Sequence, residues 1–196
     1  LVAALWGGRV AGKAKPVGRG KVYAGIKPLD VLRAEGVEPD LRWDAPGDAV
    51  RFLHRQLPDA DLYFVFNYSE QARRLRLEFR QTGRLPEIWD AVTGAHAPAP
   101  IYAPTPTGVA VPVDLEPWGS TFVVFRRPQP SRWVTGADPV SLEFKNGSLL
   151  TQADNVRVTL SDGTARTVPS SRVPQTQTLS GPWTVAFTDG RGAPPE

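Results

Sequence analysis

The sequence has no cysteine. That excludes disulfides and thiolate metal sites, and it leaves the redox compartment unread. Methionine is also missing, and the first residue is Leu1. The chain is therefore expected to be a piece of a longer protein, with catalytic residues lying elsewhere. No run approaches the roughly 20 apolar residues that span a bilayer. The opening "LVAALWGG" is too short, and lacks the basic flank, for a signal peptide. No membrane partner is expected. Clustered basic charge is missing too. The net charge is +3, but arginines such as those of "QARRLRLEFR" are mixed with acids and spread along the chain. A nucleic-acid binder would gather them on one face with stacking aromatics, so no nucleic-acid partner is expected.

What the chain does have is Gly (18) and Pro (20), which predict many turns and few long helices. The fold expected is mainly β: an immunoglobulin-like β-sandwich, preceded by a short α/β tail of a truncated barrel domain and followed by part of a second β domain. In residues 1–48, "LVAALWGGRVAGKAKPVGRG" reads as a helix end and a loop. A β-prone run follows over Lys21 to Ile26. Pro28 then suits a first helical turn, with Leu29, Val31 and Leu32 as apolar positions and Gly36 as the C-terminal cap. Strand, helix and turn in that order look like the last unit of an α/β domain, with too little core to fold alone.

Residues 49–127 change texture to about seven short strands at the spacing of a sandwich. "DLYFVFNY" and "STFVVFRR" are apolar on both faces, like central strands. "RRLRLEFR" alternates, with Leu75, Leu77 and Phe79 on one side. "GVAVPVDL" puts Val109, Val111, Val113 and Leu115 on one face, and Pro112 demotes it toward an edge. "AVRFLHRQL", "PEIWD" and "PAPIYA" complete the set. In "FRQTGRLPEIWDAVTGA", turns fall at Thr82-Gly83 and Thr93-Gly94, with Trp89 expected to face a core. The proline-rich stretch 126–139 reads as a boundary. Residues 128–196 then carry a hairpin turning at Asn146-Gly147, a second turning at Asp162-Gly163, and one more strand in "GPWTVAFTDGRGAP". They are expected to be the start of a second β domain, probably cut off at Glu196.

Several blocks occur in a recognisable order: "KVYAGIKPLDVLRAEGVEPDLRW", "VRFLHRQLPDADLYFVFNYSE", "LEFRQTGRLPEIWDAVTGA", "VPVDLEPWGSTFVVFRRP" and "LSGPWTVAFTDGRGAP". Together they resemble the C-terminal part of bacterial family 106 glycoside hydrolases, the α-L-rhamnosidase family, over nearly all of residues 20–196. The resemblance implies a large multidomain enzyme that removes L-rhamnose from polysaccharide, in the periplasm or outside the cell. It implies a catalytic barrel with carboxylates and a calcium ion, lying mostly upstream. No catalytic residue and no metal ligand is carried over, and no cofactor is expected in this chain. The partners expected are the upstream catalytic domain and a polysaccharide or oligosaccharide.

A glycosidase needs two carboxylates across the scissile bond. Asp59 with Asp61, Glu87 with Asp90, and Asp114 with Glu116 are the nearest pairs, and they read as turn and strand-end acids. His54 and His96 are the two histidines. His54, inside a matched block, is a candidate interdomain contact, as is Trp89. Sugar rings favour aromatic platforms, and Trp6, Trp43, Trp89, Trp118, Trp133 and Trp183 are the tryptophans. Trp118, in the turn "EPWGS", and Trp133, in the linker, are the candidate carbohydrate-binding residues; Trp133 could instead wedge between domains. No Ser-His-Asp pattern or P-loop is present, and "GRGKVYAG" has its glycines ahead of a strand, so it is no dinucleotide fingerprint. Three roles stay open: an accessory sandwich of a glycosidase, a carbohydrate-binding module with coplanar exposed aromatics, and a protein-interaction sandwich with a contiguous apolar patch.

Overall fold

A computed structural model describes residues 2–7, 11–44, 49–140, 142–145, 148–151, 153–168, 178 and 180–182. Helix α1 (Val2–Trp6), strands β1 (Ala14–Val17) and β2 (Gly20–Tyr23), and helix α2 (Pro28–Ala34) come first. The stretch read as a loop contains β1, which pairs antiparallel with β2 from Ala14↔Tyr23 to Val17↔Gly20. The β-prone run thus forms half of an antiparallel hairpin. Pro28 does open α2, and Gly36 closes it in the left-handed region at φ 71°. Helix α2 buries none of its residues, and Leu29 and Leu32 are exposed.

The sandwich is built from β3 (Leu41–Trp43), β4 (Val50–Gln56), β5 (Asp61–Asn67), β6 (Arg73–Phe79), β7 (Arg84–Asp90), β8 (His96–Pro98), β9 (Ala103–Thr105), β10 (Gly108–Leu115) and β11 (Ser120–Pro128). One sheet has the order β3-β6-β10-β9 and the other β4-β5-β11-β7-β8. The strand Leu41–Trp43 lies before the texture change at Ala49, yet it pairs with β6 and buries Leu41 in the core. Period-two alternation sends Leu75, Leu77 and Phe79 of β6 and Val109, Val111, Val113 and Leu115 of β10 inward. They meet Tyr63 and Val65 of β5 and Val123 and Phe125 of β11. Each sheet alone would leave one apolar face in water; facing each other, the two share one core.

Pro112 sits where the chain lets it. Strand β10 pairs with β6 along its length but with β9 over Gly108, Ala110 and the residue between them. Beyond Ala110 it is an edge, so a residue without N–H costs no ladder bond there. "PAPIYA" forms no single strand. The chain leaves β8 at Pro98, buries Ala99, Ile101 and Tyr102, and enters β9 in the opposite sheet at Ala103.

Strand β11 runs to Pro128 and β12 (Val134–Asp138) starts soon after, so the proline-rich boundary is mostly strand. Strands β13 (Leu142–Lys145) and β14 (Ser148–Thr151) pair with each other; their turn at Asn146-Gly147 lies outside the described residues. Strand β12 pairs with β15 (Val156–Leu160), which turns through Asp162-Gly163 to β16 (Ala165–Val168). Ile101 joins Val134, Val156 and Val158 in a small second core, which fastens this unit to the sheet-switching segment. The strand expected in "GPWTVAFTDGRGAP" falls, from Trp183 on, outside the described residues. No described helix is long and apolar enough to cross a membrane.

A Cβ at Gly108 would sit 1.9 Å from the Phe79 carbonyl oxygen, which is backbone and cannot swing aside. Gly108→Ala should therefore push β10 off the end of β6 and cost about 1–3 kcal/mol, the usual penalty of overpacking. Urea unfolding checks this; an unchanged midpoint would contradict the register.

Candidate functional site

Alternation also fixes what the sandwich shows to its surroundings. On the five-stranded sheet, one rung crosses all the strands in register: Leu53, Phe64, Phe122, Trp89 and His96. All of these side chains point away from the core, because their strand neighbours Tyr63, Val65 and Val123 point into it. Trp89 was expected to face the core; Ile88 does so instead, and Trp89 lies on the outer face. The rings touch at tilted angles. Phe64 meets Phe122 at 5.1 Å and 52°, and Trp89 meets His96 at 4.8 Å and 32°. The rung below adds Arg55, Leu62, Val124, Glu87 and Pro98.

Glu87 is fully buried on this outer face. Its Oε2 accepts hydrogen bonds from Trp89 Nε1 at 3.1 Å and Arg126 Nε at 2.9 Å. Its Oε1 faces the Arg127 guanidinium as an ion pair that lacks hydrogen-bond geometry. A register shift between Phe125 and Arg127 brings two successive arginines to one carboxylate. The Arg126 guanidinium also lies 4.9 Å over the Trp89 ring. Burial pushes the Glu87 carboxyl up, but the Arg126 and Trp89 hydrogen bonds and both guanidinium charges outweigh it and hold it below its ordinary value.

His54 points to the rim of the core. Its Nε2 lies 3.0 Å from Asp61 Oδ1 and its Nδ1 3.2 Å from Asp40 Oδ2, and its ring stacks on Tyr63 at 4.1 Å. Arg84 holds the other oxygen of Asp61 at 2.9 Å, and Arg80 pairs with Asp40. Burial raises Asp40, and the Arg80 and His54 bonds overcome that and lower it. Asp40 immediately precedes β3, so this cluster pins the entry segment onto the sandwich. No sequence pattern announces the cluster, because its members lie far apart along the chain.

Trp118 is half exposed, and its backbone lies in the left-handed region at φ 55°, where a bulky residue is strained. Its N–H donates to the Ser69 carbonyl at 3.0 Å, and its indole meets Tyr68 edge-on at 5.2 Å and 89°. Tyr68 in turn meets Phe66, so the aromatic face continues to this corner. Asn67 anchors the corner from inside. It is fully buried and binds the Gln71 and Glu116 carbonyls and the Ser69 hydroxyl. Trp133 lies elsewhere. Its ring stacks on Tyr102 at 5.4 Å and 1°, and its Nε1 donates to the Tyr102 carbonyl at 3.1 Å. It is a wedge between the sandwich and the unit that follows.

An open cleft of about 860 Å³ runs between the β7–β8 end, the β10–β11 turn and β13, lined by Asp90, His96, Asp114, Glu116 and Glu143 among others. Two of these acids are already engaged. Asp90 Oδ1 accepts from the Val92 and Thr93 backbone, which lowers its pKa, and Asp114 pairs with Arg74 through both oxygens. Among the described residues, no three acidic or histidine side chains converge as a metal's ligand set.

Residues 1–103 match the sequence model of glycoside hydrolase family 106, described as alpha-L-rhamnosidase. The match takes in residues before Lys21 and stops at the start of β9. A putative beta-glucuronidase of Formosa agariphila is 28% identical over 103 residues, 52% of this chain and 9% of that protein. A rhamnosidase from Novosphingobium sp. PP1Y superimposes with a TM-score of 0.57 at 27% identity, over 74% of this chain and 15% of its own. The chain thus spans a small fraction of the proteins that it matches.

Because Glu87 has its carboxyl lowered from 4.5, the stability it confers is present at pH above that ordinary value and is lost as pH falls through the folded pKa. Glu87→Gln should cost about 2 kcal/mol at pH 7, where two guanidinium groups lose their counter-charge. The gap to wild type should narrow as pH drops below 4.5. Urea unfolding across that range checks it; a gap independent of pH would contradict the ionised cluster.

Proposed function

The chain belongs to glycoside hydrolase family 106, the alpha-L-rhamnosidase family, and we propose that it is an accessory sandwich region of an enzyme that hydrolyses rhamnosyl bonds in polysaccharide. The observation that carries this reading is the state of the carboxylates. Asp61 is held by His54 and Arg84, Glu87 by Arg126, Arg127 and Trp89, Asp90 by a turn, and Asp114 by Arg74. A glycosidase acid–base pair faces a sugar from two sides at about 5–9 Å. Acids spent on ion pairs and turns suit a support and not a reaction centre. In this reading the catalytic carboxylates lie in another part of the polypeptide, and the protein works in the periplasm or outside the cell.

A carbohydrate-binding role is favoured by one feature, the half-exposed Trp118 held in strained backbone. Against it, the neighbouring Tyr68 stands at 89°, so the pair offers no flat platform along a glycan.

The complete encoded polypeptide should hydrolyse an aryl α-L-rhamnoside, and the 196-residue chain should not. Release of the aryl group, followed by absorbance, checks both. Turnover by the 196-residue chain, or none by the complete polypeptide, would contradict the proposal.

A further inference from the structure

The arginines beside His54 each take one oxygen of a carboxylate and leave the other. Arg84 Nη1 donates to Asp61 Oδ2 at 2.9 Å, and Arg80 Nη2 pairs with Asp40 Oδ1. The second oxygen of each acid turns to the imidazole. Asp61 Oδ1 lies 3.0 Å from Nε2, and Asp40 Oδ2 lies 3.2 Å from Nδ1. One ring thus faces a carboxylate acceptor at both nitrogens. A neutral imidazole has one N–H, and its other nitrogen is itself an acceptor. It can serve one of these oxygens, and it sets a lone pair against the other. A ring with both nitrogens protonated serves both.

The two acids do not bear the loss of a ring proton equally. The Asp61 side chain is 7% exposed and the Asp40 side chain 34%. An unserved oxygen costs most where water cannot reach it. A ring with one proton therefore keeps it on Nε2, toward Asp61, and Asp40 is the acid released to water. Asp40 leads directly into β3, where Leu41 is buried and pairs with Phe79. The charged groups around the ring are Asp40 before β3, Asp61 of β5, Arg80 after β6 and Arg84 of β7. One face of the ring is covered by Tyr63, whose hydroxyl is pushed up to about 12 by burial, stays neutral and accepts from Gln81. Burial raises Asp40, but the Arg80 and His54 bonds and charges hold it below its ordinary 3.8. It therefore stays ionised where histidine ordinarily changes charge, between about pH 5 and 8.

We infer that His54 is a pH-operated clasp between the sandwich and the segment that enters it: the doubly protonated ring ties Asp40 down, and loss of the Nδ1 proton to water lets Asp40 go. The tie is present on the acid side of the histidine titration and is lost as pH rises through it. Arg80 still holds the other Asp40 oxygen, so the entry segment loosens and does not detach.

Nitrogen NMR of the histidine rings in the 196-residue chain, with amide hydrogen exchange at the same pH values, tests this. His54 should carry protons on both ring nitrogens at about pH 5 and on Nε2 alone at about pH 8; the exposed His96 gives a separate reference signal. Over that range the protection factors of the β3 amides should fall about fivefold, the worth of one hydrogen bond to a charged group. Those of Val123 and Phe125 should hold. Asp40→Asn keeps the Asp61 contact and should remove the pH dependence at β3; His54→Gln should remove it too. A ring that is neutral at pH 5, or still doubly protonated at pH 8, would overturn the inference. So would β3 protection that ignores the titration of His54, or the same pH dependence in Asp40→Asn.

Discussion

Three rings hold this molecule together. Tyr63 meets Phe79 at 4.9 Å and Phe125 at 5.9 Å, and Phe79 meets Phe125 at 5.4 Å. Tyr63 and Phe125 come from one sheet and Phe79 from the other, so the contact sets how the sheets sit over each other. Edge-on and tilted rings place positive ring edges against negative faces, which adds to the large apolar area they bury. Burial also pushes the Tyr63 hydroxyl up to about 12, so the group stays protonated and donates or accepts as a neutral phenol. His54 stacks on the back of that ring and carries Asp40 and Asp61 with it. The core contact thereby reaches the segment that leads into the sandwich.

Once those rings point inward, the period of a strand leaves no choice for the residues between them. Phe64, Phe122 and Trp89 must face out, although each is as apolar as its neighbours. Strands β5 and β11 are central in their sheet and greasy on both sides, which is the composition of a strand expected to be covered twice. The buried Glu87 belongs to the same layer. A carboxylate with no exposure persists there because two guanidinium groups and an indole N–H surround it.

Much of the fold was legible in the sequence, because alternation is a local signal. Leu75, Leu77 and Phe79, and Val109, Val111, Val113 and Leu115, all take the inward side that their spacing predicts. Gly83, Gly94 and Gly163 all adopt positive φ at the turns read from them. What failed depended on pairing over distance. Nothing local says that "AKPV" will pair with "GKVY", that Leu41–Trp43 will join β6, or that "PAPIYA" will switch sheets. The direction of Trp89 was misread because a strand of mixed apolar residues does not declare its phase; the buried glutamate two residues earlier on the same side was the clue. The family resemblance read over residues 20–196 is matched by the family's sequence model over residues 1–103, and the superposition on the rhamnosidase takes in 74% of the chain. The candidate site was legible only in part. "DLYFVFNY" and "STFVVFRR" announced two-sided apolar strands, but the rung they form with Leu53, Trp89 and His96 emerges only from the register.

The most direct measurement is urea unfolding of the Phe79→Ala variant beside the wild-type chain. The account predicts a loss of about 3–5 kcal/mol, because Phe79 is the ring that one sheet brings to the contact with Tyr63 and Phe125 of the other. A midpoint unchanged from wild type would contradict it.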